Sequence, residues 1–491
     1  MINISSKQIK FFIVLYITIP LYLFFFGWTK PIIAVCLSIL LFLASSSYLR
    51  NTKNIETLQI SKKTLIVSII LILFFTIFTG VGGYFSQTDD SHWRNAIFTD
   101  LINYSWPVYY PKIDSIMCYY FLFWLPAAIV GKIFGHLAAN FALYLYMALG
   151  IYLVFLLMLK KDNCSLENVI IIIFIIFSFG IIEFIASLIY HSFIQSHIIN
   201  YRWAFVSDGL QIINNHSNLS YIYNQTTVPW LATLLIIQDK NVSSFAYLGC
   251  ISIVYAPFSI VGILTYTIFF GFKKLIEMLK KKKLSYYFKE IFSIPNILSV
   301  ICLVPLFFLF YSSNTKTSSG GTGQLLEWTY KNSSMQTFFT VLFFYLVAII
   351  PLYIVLFPKF KNEFLFHVTF FLILVFPHLK LSTTNLNDFS SHGLPIPMIC
   401  LTYYVIQAIL DNDFYLKRRL LHSVLVILIS LGSLNYVGEI WYQLKDISQS
   451  HEIGIKDNLN TLEDKTDAVN FVSHHPDESL FSKYIIKDYY H

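Results

Sequence analysis

The sequence predicts an all-α polytopic membrane protein, and two observations carry that prediction. Only 12% of the side chains are charged, about half the roughly 25% of a soluble domain. Hydrophobic residues make up 56% of the 491 positions and aromatic residues 18%; mean hydropathy is +0.64. No soluble fold hides that much apolar surface, so much of it must face lipid. A cytosolic or secreted globule and a disordered chain are both excluded.

A helix crossing the hydrocarbon core needs about 20 mostly apolar residues. Clear candidates are 11–29, 31–49, 64–82, 137–159, 166–185, 291–311, 336–357, 363–379, 394–410 and 420–440. The first follows Lys7 and Lys10 without a small-residue cleavage site, and a second span comes at once. It reads as a retained helix rather than a signal peptide. The region 226–272 divides into three short crossings at about 226–239, 243–258 and 259–272, giving about thirteen helices in all.

The run 116–135 is long enough to span but holds Pro126, Gly131 and Lys132. Cytoplasmic loops collect Lys and Arg, and Arg50, Lys53, Lys62 and Lys63 put loop 50–63 inside. If 116–135 crossed, Lys160 and Lys161 would lie outside; laid along the outer surface, it returns them to the cytoplasm. Lys240, the segment from Lys273 to Lys289, Lys359, Lys361, Lys417, Arg418 and Arg419 then also fall inside. Twenty-one cations sit inside against eight in outer loops, with the N-terminus in and the C-terminus out. The basic segment 273–289 reads as a juxtamembrane cluster facing anionic lipid, with no nucleic-acid partner.

The membrane domain is thus 1–440, with outer loops 83–136, 186–227, 312–334 and 380–393. A small acidic extracytoplasmic tail, 441–491, carries nine acidic and five basic residues and reads as a solvated appendage. Six scattered cysteines show no C-x-x-C spacing, so neither a disulfide framework nor a zinc pattern is present. No H-E-x-x-H spacing appears, and Ser318 to Gln324 lacks the spacing of a nucleotide loop and reads as a flexible outer loop.

Chemistry gathers in the first outer loop. Thr88-Asp89-Asp90-Ser91-His92-Trp93-Arg94 follows a helix end directly. On one reading, Thr88 or Asp89 caps a surface helix with Asp90 in its first turn. On the other, two adjacent carboxylates, an arginine one helical turn from Asp90 and nearby aromatics receive a phosphate-bearing lipid and a polyol. A carboxylate accepts a proton from a sugar hydroxyl, and Arg grips phosphate in a bidentate fork. Tyr109, Tyr110 and Lys112 follow. The second loop adds Arg202 as another phosphate contact. Asn224 and Gln225 stand at a helix start, either binding hydroxyls or capping. In the fourth, His392 faces the same outer side and Asp388 is in part a cap. Asp89 and Asp90 are the catalytic candidates; Arg94, Lys112, Arg202, Tyr109, Tyr110, Asn224, Gln225 and His392 are the substrate-binding ones.

The segment 80–135 resembles the GT-C superfamily of integral membrane glycosyltransferases. The likeness rests on Asp89-Asp90 after an early helix, Tyr109-Tyr110-Pro111, Tyr119-Tyr120, Leu125-Pro126-Ala127-Ala128 and the close Gly131-Lys132-Ile133-Phe134-Gly135. It departs from the usual arrangement in that the acidic pair follows the third helix rather than the first. The resemblance implies transfer of a sugar from a polyprenyl-phosphate donor to a glycan, lipid or protein acceptor on the outer face of a bacterial inner membrane. Asp89 or Asp90 would be the general base, the other supporting it or a metal. Arg94, with Arg202 and Lys112, would hold the donor phosphate. Two carboxylates also offer hard oxygens to a divalent cation, although two ligands do not define a site. Competing readings are a polysaccharide polymerase or ligase, for which the outer loops hold few arginines, a transporter or flippase of lipid-linked sugars, and an inactive assembly subunit.

Overall fold

The computed structural model describes residues 1–51, 57–88, 90–181, 205–207, 210–315, 326–328, 335–381, 389–450, 461–464, 468–474 and 476–489. Helices dominate it, and the described strands are short, forming pairs and one three-stranded sheet. Among the described residues seven helices are long and apolar enough to cross a membrane: Ser6–Trp28, Pro31–Asn51, His136–Met158, Pro257–Lys280, Ile294–Ser312, Val341–Phe360 and Arg419–Gln449. Exposed apolar side chains recur at helical spacing along several of them, as with Ile32, Val35, Ile39, Phe42 and Leu43. Such stripes suit a lipid-facing surface. The chain is therefore an all-α protein with the make-up of a membrane protein, and the other described helices do not combine that length and apolarity.

Two of the short ones explain themselves. Thr227–Asp239 has 13 residues, about 20 Å by helical rise, and every side chain from Thr227 to Ile237 is buried. Phe245–Tyr255, with 11 residues, is also mostly buried. These are interior helices walled by protein. Short or interrupted backbone is tolerated at membrane depth only in that setting, and it lets polar helix ends line an interior space.

Leu125–Phe134 spans 10 residues, about 15 Å, which is too short to cross. It lies against its neighbours through Leu125, Ala127, Ala128 and Gly131, while Ile133, Phe134 and Leu137 are exposed. Gly131 allows this packing: an added Cβ would stand 2.8 Å from both Ala139 and Ile102. The chain then turns at Gly135, φ +84°, into His136–Met158. Lys132 Nζ donates to the carbonyls of Ile102 and Tyr104, fixing this helix to Ser91–Asn103.

Contacts between helix ends sort into two sets. At one end, strand Ile2–Ser5 pairs with Thr57–Ile60, Lys10 binds Asp239 at 2.6 Å, Lys240 binds Glu363 at 2.7 Å, and Lys359 pairs with Asp411. At the other, Ser86 reaches Asp446, Ser217 reaches Glu439, and Asn314 donates to the carbonyl of Cys118. Each of these contacts joins segments that the cation pattern assigns to one side.

The tail departs from the expected solvated appendage. The last membrane-bounded helix does not stop at 440, since Leu434–Ser450 runs through the proposed boundary. Beyond it the described tail folds back on the protein. Val472–His474 pairs antiparallel with Ser115–Met117, itself paired with Tyr109–Tyr110. Lys30 N–H donates to Ile485, and Lys487 N–H to Trp28. Leu462, Val472, Phe481 and Ile486 are buried. These apolar residues, diluted among charges, are what draw the segment onto the fold.

Candidate functional site

The helix Lys62–Ile77 ends in a glycine turn that delivers the acidic loop. Gly80 and Gly82 have φ +74° and +85°, and a Cβ at Gly80 would stand 2.6 Å from the Ser86 carbonyl. Only glycine combines that handedness with that closeness. Gln87 then donates back to Gly80 O at 3.0 Å, so residues 86–88 return over the helix end. Asp89 lies outside the described residues.

Asp90 occupies the N-cap position of Ser91–Asn103 but makes no side-chain cap bond. The turn is closed instead by Ser91 N–H donating to Thr88 O at 2.8 Å, with the two hydroxyls 3.1 Å apart. Asp90 thus stands at the N-cap itself rather than in the first turn, and its carboxylate is left out of the capping bonds. Its carboxylate stands 63% exposed, 3.7 Å from the Arg94 guanidinium, which is only 8% exposed. Arg94 Nε and Nη1 have no hydrogen-bond partner.

Aromatic residues lie in the neighbourhood of this guanidinium. Its charge acts on the phenols of both Tyr119 and Tyr223. Burial pushes the Tyr223 phenol up to about 12, partly offset by Arg94, so it stays a neutral hydroxyl. Tyr223 accepts a hydrogen bond from Trp124 Nε1 at 2.8 Å. Tyr119 packs on Tyr120 and on Phe471 of the tail, which also meets Trp93.

Beside Tyr223 the chain enters the interior helix Thr227–Asp239. Asn224 and Gln225 do not cap it. Thr226 instead turns its hydroxyl back to the carbonyls of Asn218 and Ile222, both at 2.9 Å. Asn224 Oδ1 and both polar atoms of Gln225 are buried without partners. Their placement at a buried helix start sets them next to the Arg94 neighbourhood.

A further polar surface continues inward. Helix Asn215–Tyr221 is capped by Asn214, which accepts from Ser217 N–H at 2.8 Å. Burial holds His216 neutral, its pKa lowered to about 3, with its ring 4.7 Å from Tyr436. Ser217 donates to Glu439 at 3.2 Å. Tyr436, Glu439, Gln443 and Asp446 recur on one face of Leu434–Ser450, and Asp446 reaches Ser86. That stripe thus runs from His216 to the acidic loop. His216 Nδ1, Asn218 Oδ1 and Gln443 Oε1 are buried without partners. Each such atom costs about 1–3 kcal/mol unless water or a ligand meets it.

The other candidates lie apart from Arg94. Tyr110 is buried and donates to Asp100 at 2.8 Å, while Tyr109 donates to Asp114 at 2.9 Å. Lys112 is engaged by Glu463 and Asp464 of the tail. These three hold the tail rather than joining the Arg94 cluster. His392 stacks on Phe258. Arg202 and Asp388 lie outside the described residues. Among the described residues no three His, Cys, Asp or Glu side chains gather as metal ligands.

His216, Asn218, Glu439 and Gln443 are not among the candidates that the sequence singles out. Their signal was there, as a dense polar run from Asn214 to Asn218 and a polar stripe along 436–446. The stripe straddled the assumed end of the last span and so was divided between membrane and tail. A separate cavity of about 240 Å³ lies at the far end of Thr227–Asp239, lined in part by Lys10, Lys160, Asp239 and Lys240. Compared with protein-family models, curated proteins and solved structures, the chain matches none.

Proposed function

We propose that this protein is a membrane glycosyltransferase that moves a sugar from a polyprenyl-phosphate donor to a hydroxyl acceptor at the membrane surface. One observation carries the reading: a buried arginine with two unpartnered nitrogens is paired with an exposed carboxylate that makes no capping bond, at the edge of a polar interior. Arg94 supplies the fork for a phosphate, and Asp90 supplies the base.

In this mechanism the Asp90 carboxylate takes the proton of the acceptor hydroxyl. The acceptor oxygen bonds to the anomeric carbon as the bond from that carbon to the phosphate oxygen breaks. Polyprenyl phosphate departs with one more negative charge, which Arg94 neutralises from a fixed, largely water-free position. Tyr119, Trp124 and Tyr223 offer ring faces to the sugar. Asp89, next in the chain to the base, is assigned the supporting role by the resemblance alone. The resemblance of residues 80–135 to GT-C enzymes supports the same reading.

The test uses protein reconstituted in liposomes with labelled polyprenyl-phosphate glucose and an envelope extract as acceptor. Arg94→Gln lowers transfer by roughly a hundredfold or more, the scale of losing a charge-stabilising donor, and Asp90→Asn abolishes it. If Asp89→Asn and Asp90→Asn, expressed at normal levels, both transfer at the wild-type rate, the assignment is wrong. Uptake of the labelled lipid with no transfer, unaffected by the aspartate variants, would favour a flippase.

A further inference from the structure

Resting on that reading, we infer that the buried carboxamide surface formed by Asn218, Asn224, Gln225 and Gln443 is the subsite for an uncharged, hydroxyl-rich sugar on the donor, set inward of the phosphate held by Arg94. The placement follows from connected contacts. Tyr223, under the Arg94 charge, directly precedes Asn224 and Gln225, and Thr226 ties that turn to Asn218 through its 2.9 Å bond. Across from them Glu439 takes the Ser217 hydroxyl, and Gln443 lies one turn further along the same face toward Asp446 and Ser86.

The chemistry of the surface selects its ligand. Asn218, Asn224, Gln225 and Gln443 all expose buried polar atoms that no protein group meets. Carboxamides offer a donor and an acceptor without charge, which matches hydroxyl groups that are themselves both. An apolar ligand would leave these atoms unmet, and an anionic one would bring a second charge that none of the four can neutralise. The amide nitrogens of Asn218 and Asn224 already donate to the carbonyls of Ile213 and Tyr120, so these two offer acceptors, as does Gln443, while Gln225 offers both a donor and an acceptor; such a set suits the hydroxyls of a polyol.

Displacement of labelled polyprenyl phosphate from the protein in nanodiscs tests this. The competitors are unlabelled polyprenyl phosphate, polyprenyl-phosphate glucose and polyprenyl-phosphate glucuronic acid. Wild type should bind the glucose lipid roughly tenfold or more better than the bare lipid, the scale of one or two satisfied buried groups, and the glucuronic lipid less well than the glucose lipid. Gln443→Leu should reduce the preference for glucose toward unity, and Asn224→Leu is the second variant should the first fail to fold. Retained binding of bare polyprenyl phosphate shows that a variant is folded. A wild type that binds all three lipids alike, or that prefers the glucuronic lipid, overturns the subsite, as does a preference for glucose that survives both variants. A wild type that binds no polyprenyl phosphate overturns the glycosyltransferase reading, and the subsite with it.

Discussion

Asp100 should make docking of the tail depend on pH. It is fully buried in Ser91–Asn103, where its Oδ2 accepts from Tyr110 and from the backbone N–H of Leu462 at 3.0 Å. Burial pushes its pKa up from 3.8 to about 6, although the bonds from Leu462 and Tyr110 pull the other way. With the tail undocked the carboxyl meets water and titrates near its ordinary value. Between about 3.8 and 6 the undocked state therefore binds fewer protons than the docked one, so raising the pH weakens docking. The contribution of this carboxyl to docking is greatest below the window and levels off above it. Slightly more than two pKa units amount to about 3 kcal/mol, or roughly a hundredfold in the docking equilibrium. Asp100→Asn keeps an oxygen able to accept both bonds but has no charge to lose. Hydrogen–deuterium exchange of the 461–474 peptide, corrected for intrinsic rates, should show wild-type protection falling from pH 4 to 7. In Asp100→Asn it should stay level and exceed wild type at pH 7. Flat wild-type protection, or an unchanged slope in the variant, would refute the argument.

Three other outcomes follow from the packing. Lys10→Ala strands the Asp239 carboxylate in a largely buried pair and should cost about 3–5 kcal/mol in reversible unfolding, whereas Lys10→Met with Asp239→Leu should recover most of it. Gly131→Ala should destabilise by about 1–3 kcal/mol because its Cβ has no room; Gly249→Ala, whose nearest neighbour stands at 3.9 Å, should be neutral or slightly stabilising in the same melt. In a cysteine-free background, Asp90→Cys and Asp464→Cys should react with an impermeant maleimide from one face of sealed vesicles, and Lys240→Cys from the other; labelling of all three from one face would contradict the two-sided arrangement.

The amino-acid sequence by itself determined that this chain needs lipid, because composition and run length leave no soluble alternative. The cation pattern also groups segments that the structure joins, such as Lys10 with Asp239 and Ser86 with Asp446. That 116–135 is not one long helix was legible too, from Pro126, Gly131 and Lys132 within it. The nearness of Asp90 and Arg94 was legible too, because four residues make about one helical turn.

The tertiary structure alone decided what Lys112, Tyr109 and Tyr110 do, because their partners Glu463, Asp464, Asp114 and Asp100 include groups from a tail hundreds of residues away. It likewise revealed that Thr227–Asp239 is an interior helix, which hydropathy cannot tell from a lipid-facing one. The inward polar surface joins 218–225 to 436–446, and no local period encodes a meeting between them. Apolar patterning reports where a chain must avoid water; which polar atoms end up facing one another depends on how the helices pack.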